Sequence, residues 1–186
     1  TKLNYQDDEF TLDYIVNIKL HLHKDVIVNL TNNAQRQLNI ETSLEEINNT
    51  WKIQTLDLIP YKGNKYYKLR QIDDVTDILE TNQLLLSTMK NSPYYQTFHQ
   101  DINYWTNALD CIMETLDIMV TVQRQWLYLE NIFMESKEIR KQLPKASSLF
   151  KQINKEWIKY MNDIYQSKLA TELMNKELIQ HFQSMN

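Results

Sequence analysis

The sequence predicts a mainly α-helical protein: an elongated multi-helix bundle with one long central helix and a small β-hairpin. Three observations predict it. Apolar residues recur in steps of three and four from Tyr95 to Phe133 without losing phase. Three further stretches, 24–51, 74–89 and 145–165, carry shorter helical patterns of the same kind. Between the first two of these, WKIQTLDLIPYKGNKYYKLRQI (51–72) changes grammar and alternates apolar with polar residues. Hydrophobic residues make up 42% of the 186, enough for one folded domain or two small helical subdomains sharing a core.

The elements follow in chain order. TKLNYQDDEFTLDYI reads as an opening segment followed by a short helical turn. A helix over about 24–51 carries Ile27, Leu30, Ala34 and Leu38 on one face, and Ile40, Leu44, Ile47 and Trp51 continue it with a drift in phase. Thr42-x-x-Glu45 matches a capping box but falls inside this pattern, so it is read as a chance match. Residues 52–59 and 65–71 form the arms of the hairpin, with Leu56 and Leu58 on one and Tyr67 and Leu69 on the other. Pro60 and Lys62-Gly63-Asn64 supply the turn. A lone hairpin is marginal in water, so it must lean on a helix or meet another partner. Asp73 or Asp74 is expected to cap the helix over 74–89. Ser92 and Pro93 signal the next helix start: the hydroxyl takes an orphan N–H and the proline suits the first helical position. The helix over 94–133 would be roughly 60 Å long. A polar turn then leads to Pro144, to a helix over 145–165 with Leu149, Ile153, Trp157, Met161 and Ile164 apolar, and to a last helix over 168–185. Divided coarsely, opening helices occupy about 10–51, the hairpin 52–71 and the helical bundle 74–186.

Composition excludes several functions. The chain has one glycine, Gly63, so neither GxxxxGK[ST] nor GxGxxG can be written in it, and a self-contained nucleotide enzyme of those classes is ruled out. The net charge of −4, with both signs spread along the chain, argues against nucleic acid as a partner. No apolar run approaches the roughly 20 residues of a membrane span, and no signal peptide is read. The single Cys111 lies in a helical pattern as a small buried hydrophobe, which fits a reducing compartment. His21 and His23 would share one side of a strand but lack the further ligands of a zinc site. Glu177 and His181 read as a solvated i, i+4 pair, and His99 has no orienting acid. No carboxylate pairs with a nucleophile, so catalytic, cofactor-binding and metal residues are all read as none.

Two polar residues stand out. In VQRQWLYLENIF (122–133), Gln123 and Glu130 fall on the apolar seam together with Trp126 and Phe133, while Arg124 lies off it. A buried carboxylate costs several kcal/mol unless paired, so Glu130 must find a donor: a cation, an aromatic N–H or O–H, or a helix start. The helix over 145–165 is the expected neighbour. The hairpin's Lys62, Lys65, Lys68 and Arg70, with Tyr61, Tyr66 and Tyr67, are expected to stand exposed as a contact surface.

The same stretch carries a resemblance. VQRQWLYLENIF, through Gln123, Trp126, Leu127, Tyr128, Leu129, Glu130 and Phe133, resembles the VQxxWLYLExIF signature of dynein heavy chains, in the linker region before the first AAA+ module. MKNSPYYQTF (89–98), with Ser92 and Pro93, is similar to the turn and helix start before it. WKIQTLDLIPYKGNKYYKLRQIDDV (51–75) resembles the family's hairpin, and IRKQLPKASSLFKQINKEW (139–157), with Pro144, its following stretch. Ala146 stands where the family often has Glu, and Leu149 where many members have Arg. The SPYY turn and PYK hairpin look more like axonemal inner-arm chains than cytoplasmic ones. The resemblance covers the chain from about residue 10 onward. It implies the N-terminal half of the linker, a helical arm that bends and straightens as ATP is hydrolysed in the ring and so drives minus-end-directed movement along microtubules. It implies as partners the AAA+ ring and remaining linker of the same heavy chain. Accessory chains and microtubules would follow through the full-length motor, with ATP and Mg held in the ring and not in these residues. It implies a place in the cytoplasm and cytoskeleton, including the axoneme of a cilium or flagellum. The residues alone leave open a free-standing spectrin-like adaptor, against which the hairpin speaks. A helical-bundle metalloenzyme would need Glu-x-x-His motifs, which are absent.

Overall fold

A computed structural model describes residues 11–17, 19–63 and 65–185. The opening segment over the first ten residues, and Asn64 of the turn tract, lie outside them. The chain divides after Ser43 into two compact units.

In the first unit, α1 (Leu12–Asn17) precedes a 3-10 turn, Leu20–His23, and then α2 (Lys24–Ile53) begins. His21 and His23 therefore sit on a 3-10 turn and not on a strand, and both are exposed. The anticipated face of Ile27, Leu30 and Leu38 is also exposed; burial along α2 starts at Ile40. Periodicity marks a face that is able to be buried, and no described part of this unit covers it. Thr42 and Glu45 lie in the helix interior, so the capping-box match is indeed accidental.

In the second unit α2 ends with Leu44, Ile47 and Trp51 buried. The hairpin follows: β1 (Leu58–Tyr61) pairs antiparallel with β2 (Tyr66–Leu69), Leu58 opposite Leu69 and Pro60 opposite Tyr67. The arms are shorter than expected because the helix runs on to Ile53, and because Gln54–Leu56 pair elsewhere. The Leu56 N–H donates to Lys168 O (2.7 Å) and the Ala170 N–H to Gln54 O (2.9 Å). Pro60 lies in β1, not in the turn. The Arg70 N–H donates to Asp57 O, so alternation leaves residue 60 facing away from β2, where no ladder donor is needed. The turn itself rests on Lys62 and Gly63, both at positive φ (46° and 71°).

Among the described residues, five helices and a 3-10 turn complete the unit. α3 (Asp73–Lys90) buries Val75, Leu79, Leu86 and Met89. Its N-cap is Ile72 without a side-chain bond, so neither Asp73 nor Asp74 caps it; both lie in the first turn, where carboxylates meet the positive end of the helix dipole. The Ser92 hydroxyl accepts from the Tyr94 N–H (3.2 Å), and α4 (Tyr95–Glu135) starts beyond it. Pro93 thus precedes the first turn instead of opening it. α4 has 41 residues, about 60 Å at 1.5 Å per residue, and α3, α5, α6, the hairpin and the C-terminal elements all pack on it. Where a polar turn was expected, a short helix forms: α5 (Lys137–Gln142), capped by Ser136, whose hydroxyl accepts from the Ile139 N–H. α6 (Pro144–Ser167) carries Pro144 in its first turn. Leu149 is exposed and Phe150 is buried in its place, stacked on Phe133 at 5.3 Å. The one-residue difference is a rotation of 100° about the helix, which two adjacent apolar residues cannot reveal in sequence. The expected last helix from 168 is two pieces, a 3-10 turn (Ala170–Met174) and α7 (Lys176–Met185), because Lys168 turns left-handed (φ 59°) and Leu169 is extended, bridging Thr55. Cys111 is buried and its thiol lies 3.6 Å from Leu173 O, to which Thr115 also donates at 3.1 Å.

Candidate functional site

The polar residues of the α4 seam grip the hairpin. Gln123, Trp126 and Glu130 are three and four residues apart, hence one above another on a single helix face. Gln123 meets Leu69 of β2: the Leu69 N–H donates to Oε1 (2.7 Å) and Nε2 donates to Leu69 O (3.0 Å). Its amide occupies the place that a neighbouring strand would take on that edge. At the turn, the Lys62 ammonium donates to both oxygens of Glu130, at 2.7 and 2.6 Å. Glu130 is 2% exposed, whereas the Lys62 side chain is 36% exposed. The Glu130 carboxylate beside it raises the Lys62 pKa above the ordinary lysine value, outweighing the opposing effect of burial.

Between these two anchors lies Trp126. Tyr61 and Tyr66 meet its ring edge-on at 5.8 and 6.4 Å, and Trp157 of α6 lies at 5.9 Å. Its indole N–H donates to Asn154 Oδ1 (2.8 Å). Tyr67 stacks on Tyr165 of α6 at 3.5 Å, and burial there pushes its phenol pKa up. The hairpin is therefore held from both sides, by α4 through hydrogen bonds and the Trp126 ring, and by α6 through the Tyr165 ring.

The sequence placed Glu130 on the seam, and it is buried there. It placed the donor on the helix over 145–165, and that is corrected: the donor is Lys62 of the hairpin. The expected exposure of the hairpin tyrosines is corrected too. Tyr61, Tyr66 and Tyr67 are half-buried against Trp126 and Tyr165, while Lys65 and Arg70 stay exposed. A buried seam acid needs a long cation that reaches it, and a lysine at a hairpin tip is such a cation; that signal was available. The roles of Asn154 and Tyr165 had no sequence signal. Among the other signature residues, Phe133 is buried, Leu127 and Leu129 are half-buried and Tyr128 is 68% exposed. Arg124 is exposed, off the seam as expected. Arg140 closes the end of α4, its guanidinium donating to Phe133 O and to Met134 O.

The arrangement suits holding and not bond-making: each polar group of the grip is consumed by a partner. Among the described residues no three His, Cys, Asp or Glu side chains gather as metal ligands. The single glycine, Gly63, serves the hairpin turn.

The profile of the family described as dynein heavy chain, N-terminal region 2, matches residues 1–186. This chain belongs to that family. Dynein axonemal heavy chain 2 of Homo sapiens is 40% identical over 156 residues, 84% of this chain and 4% of that protein. The dynein-1-beta heavy chain of the flagellar inner arm I1 complex of Chlamydomonas reinhardtii is 38% identical over 179 residues, 96% of this chain and 4% of its own length. The cytoplasmic dynein heavy chain of Dictyostelium discoideum is 33% identical over 177 residues, 95% of this chain and again 4% of the relative. The chain thus spans about 4% of the length of the curated relatives it matches. The grip of α4 on the hairpin lies within the stretch that matches the N-terminal region of dynein heavy chains.

Proposed function

We propose that this dynein heavy chain segment is the N-terminal part of the linker, a mechanical arm that carries ATP-driven changes in the AAA+ ring into minus-end-directed movement along microtubules. The observation that supports it is the grip on the hairpin. A lever transmits force only if its joints hold, and here a strand pair of marginal intrinsic stability is fastened to a 41-residue helix by an ion pair, a two-point amide contact and an aromatic cluster. The segment itself hydrolyses no ATP; the nucleotide and Mg belong to the ring of the full-length chain, which is also its first partner, together with the remaining linker. Accessory chains and microtubules follow through the whole motor. The axonemal relatives at 40% and 38% identity, beside 33% for the cytoplasmic one, support an axonemal subtype in the cytoskeleton of a cilium or flagellum.

The test is a full-length motor carrying Glu130→Ala. ATP binding and basal turnover should stay near the parent's, while microtubule gliding velocity per ATP hydrolysed falls. Unchanged coupling in a variant shown by hydrogen exchange to have a loosened hairpin would defeat the lever reading.

A further inference from the structure

A second feature lies away from the hairpin, where α5 meets the start of α6. Lys137, Arg140, Lys141, Pro144, Ser147, Ser148 and Lys151 line a cleft of about 430 Å³ there. Three independent observations mark it as a place for an anionic group. First, the start of α6 lacks a cap: its N-cap is Leu143, which makes no side-chain bond, and the Lys145 and Ala146 N–H groups have no partner among the described residues. Second, Ser147 is only 5% exposed, lines the cleft, and its hydroxyl makes no hydrogen bond to any described residue. Its oxygen has no partner among the described residues and opens to the cleft, where it is placed to bond a ligand. Third, residues 137–151 hold five cations against one acid, Glu138, in a chain whose net charge is −4. Lys137, Lys141 and Lys151 are exposed and form no ion pair among the described residues.

Part of this charge has a structural use. Arg140 caps the end of α4, and Arg140 and Lys141 stand in the last turn of α5, where cations offset the helix dipole. That leaves Lys137, Lys151 and Ser147 unexplained. We propose that the cleft between α5 and the first turn of α6 is a docking site for an acidic segment of a protein partner, with a carboxylate seated on the α6 start and Ser147 and its neighbours held by the surrounding lysines.

The chemistry selects this occupant over other anions. A lone phosphate is best gripped by a guanidinium fork, and the Arg140 guanidinium is already donating to two carbonyls. A nucleic acid strand needs a long basic track with aromatic platforms, and no aromatic residue lines this cleft. Lysines spread around an open rim suit several carboxylates on a flexible chain, each held loosely and screened by salt.

The probe is a fluorescein-labelled peptide of about ten glutamates, titrated into the 186-residue chain at low ionic strength and followed by anisotropy. Saturable binding that weakens with salt is expected. K141E/K151E should weaken it about tenfold or more, consistent with reversing two cations at the site. S147A should weaken it about threefold, and Lys90→Glu, a reversal elsewhere, should leave it unchanged. Thermal melts matching the parent's keep the variants comparable. No binding, binding that K141E/K151E leaves intact, an unchanged affinity in S147A, or tighter binding of inorganic phosphate or of a single-stranded oligonucleotide overturns the proposal.

Discussion

From Ile102 to Met119 the seam of α4 is apolar, and the elements packed on it bury Leu109, Ile112 and Leu116 completely. From Gln123 to Glu130 the same seam offers the hairpin an amide, an indole ring and a carboxylate. The first half is held by burial, which is strong and indifferent to direction. The second is held by contacts worth less in sum but satisfied only when Leu69 and Lys62 stand in one register. One helix therefore supplies bulk stability at one end and geometric definition at the other.

The largest expected effect breaks the apolar half. Leu109→Ala should cost about 2–5 kcal/mol in urea unfolding, since the side chain is fully buried and its cavity cannot fill. It should leave hydrogen exchange at Leu69 no faster than global unfolding dictates. A smaller loss divides the ion pair unequally. Lys62→Ala leaves a carboxylate that is 2% exposed without its cation, at a cost of about 3 kcal/mol. Glu130→Ala leaves an ammonium that can turn to water, at about 1 kcal/mol, and Glu130→Gln should cost less still. Urea unfolding of the two single variants measures this asymmetry, and equal losses would mean that the carboxylate is solvated. Gln123→Leu should cost about 1–2 kcal/mol by stranding the Leu69 N–H and C=O, and should speed exchange at that amide before any other in the hairpin.

The smallest effect is with pH. The folded Lys62 pKa is raised, so its contribution is complete below the unfolded lysine value and is lost as pH rises through the folded one. The melting temperature should be insensitive to this pair at neutrality and decline additionally above about pH 10.5. Lys62→Arg, which stays charged, should flatten that added decline.

Much of this is readable in the sequence. The 3.5-residue rhythm carries the α4 seam through Gln123 and Glu130 unbroken, so their inward orientation follows from spacing alone. The cation was harder to place, because Lys62 reaches Glu130 only once the hairpin has docked, and docking depends on Tyr67 against Tyr165 and on Tyr61 and Tyr66 against Trp126. The first hairpin arm is shorter than its pattern predicts because Gln54–Leu56 read as strand but pair with the distant Lys168–Ala170. Local pattern reports a backbone's preference and not its partner. The cleft at the start of α6 left a partial trace: IRKQLPKASS shows its basic residues, yet neither the uncapped N–H groups nor the Ser147 hydroxyl's place in the cleft can be seen without the turn that Leu143 makes.

That pairing of Gln54–Leu56 with Lys168–Ala170 also bears on how the protein reaches its fold. It joins segments far apart in sequence, so its loop-closure entropy is paid over a long stretch of chain for only two backbone hydrogen bonds. The α3–α4 contact is local by comparison and rewards early formation. The non-local closure belongs late on the folding path, with φ-values near zero. Substitutions at Leu56 or Ala170 should hasten unfolding and leave the refolding rate unaltered. The short extended segment before the hairpin thus acts on the lifetime of the folded state, and the long helix on the speed of its arrival.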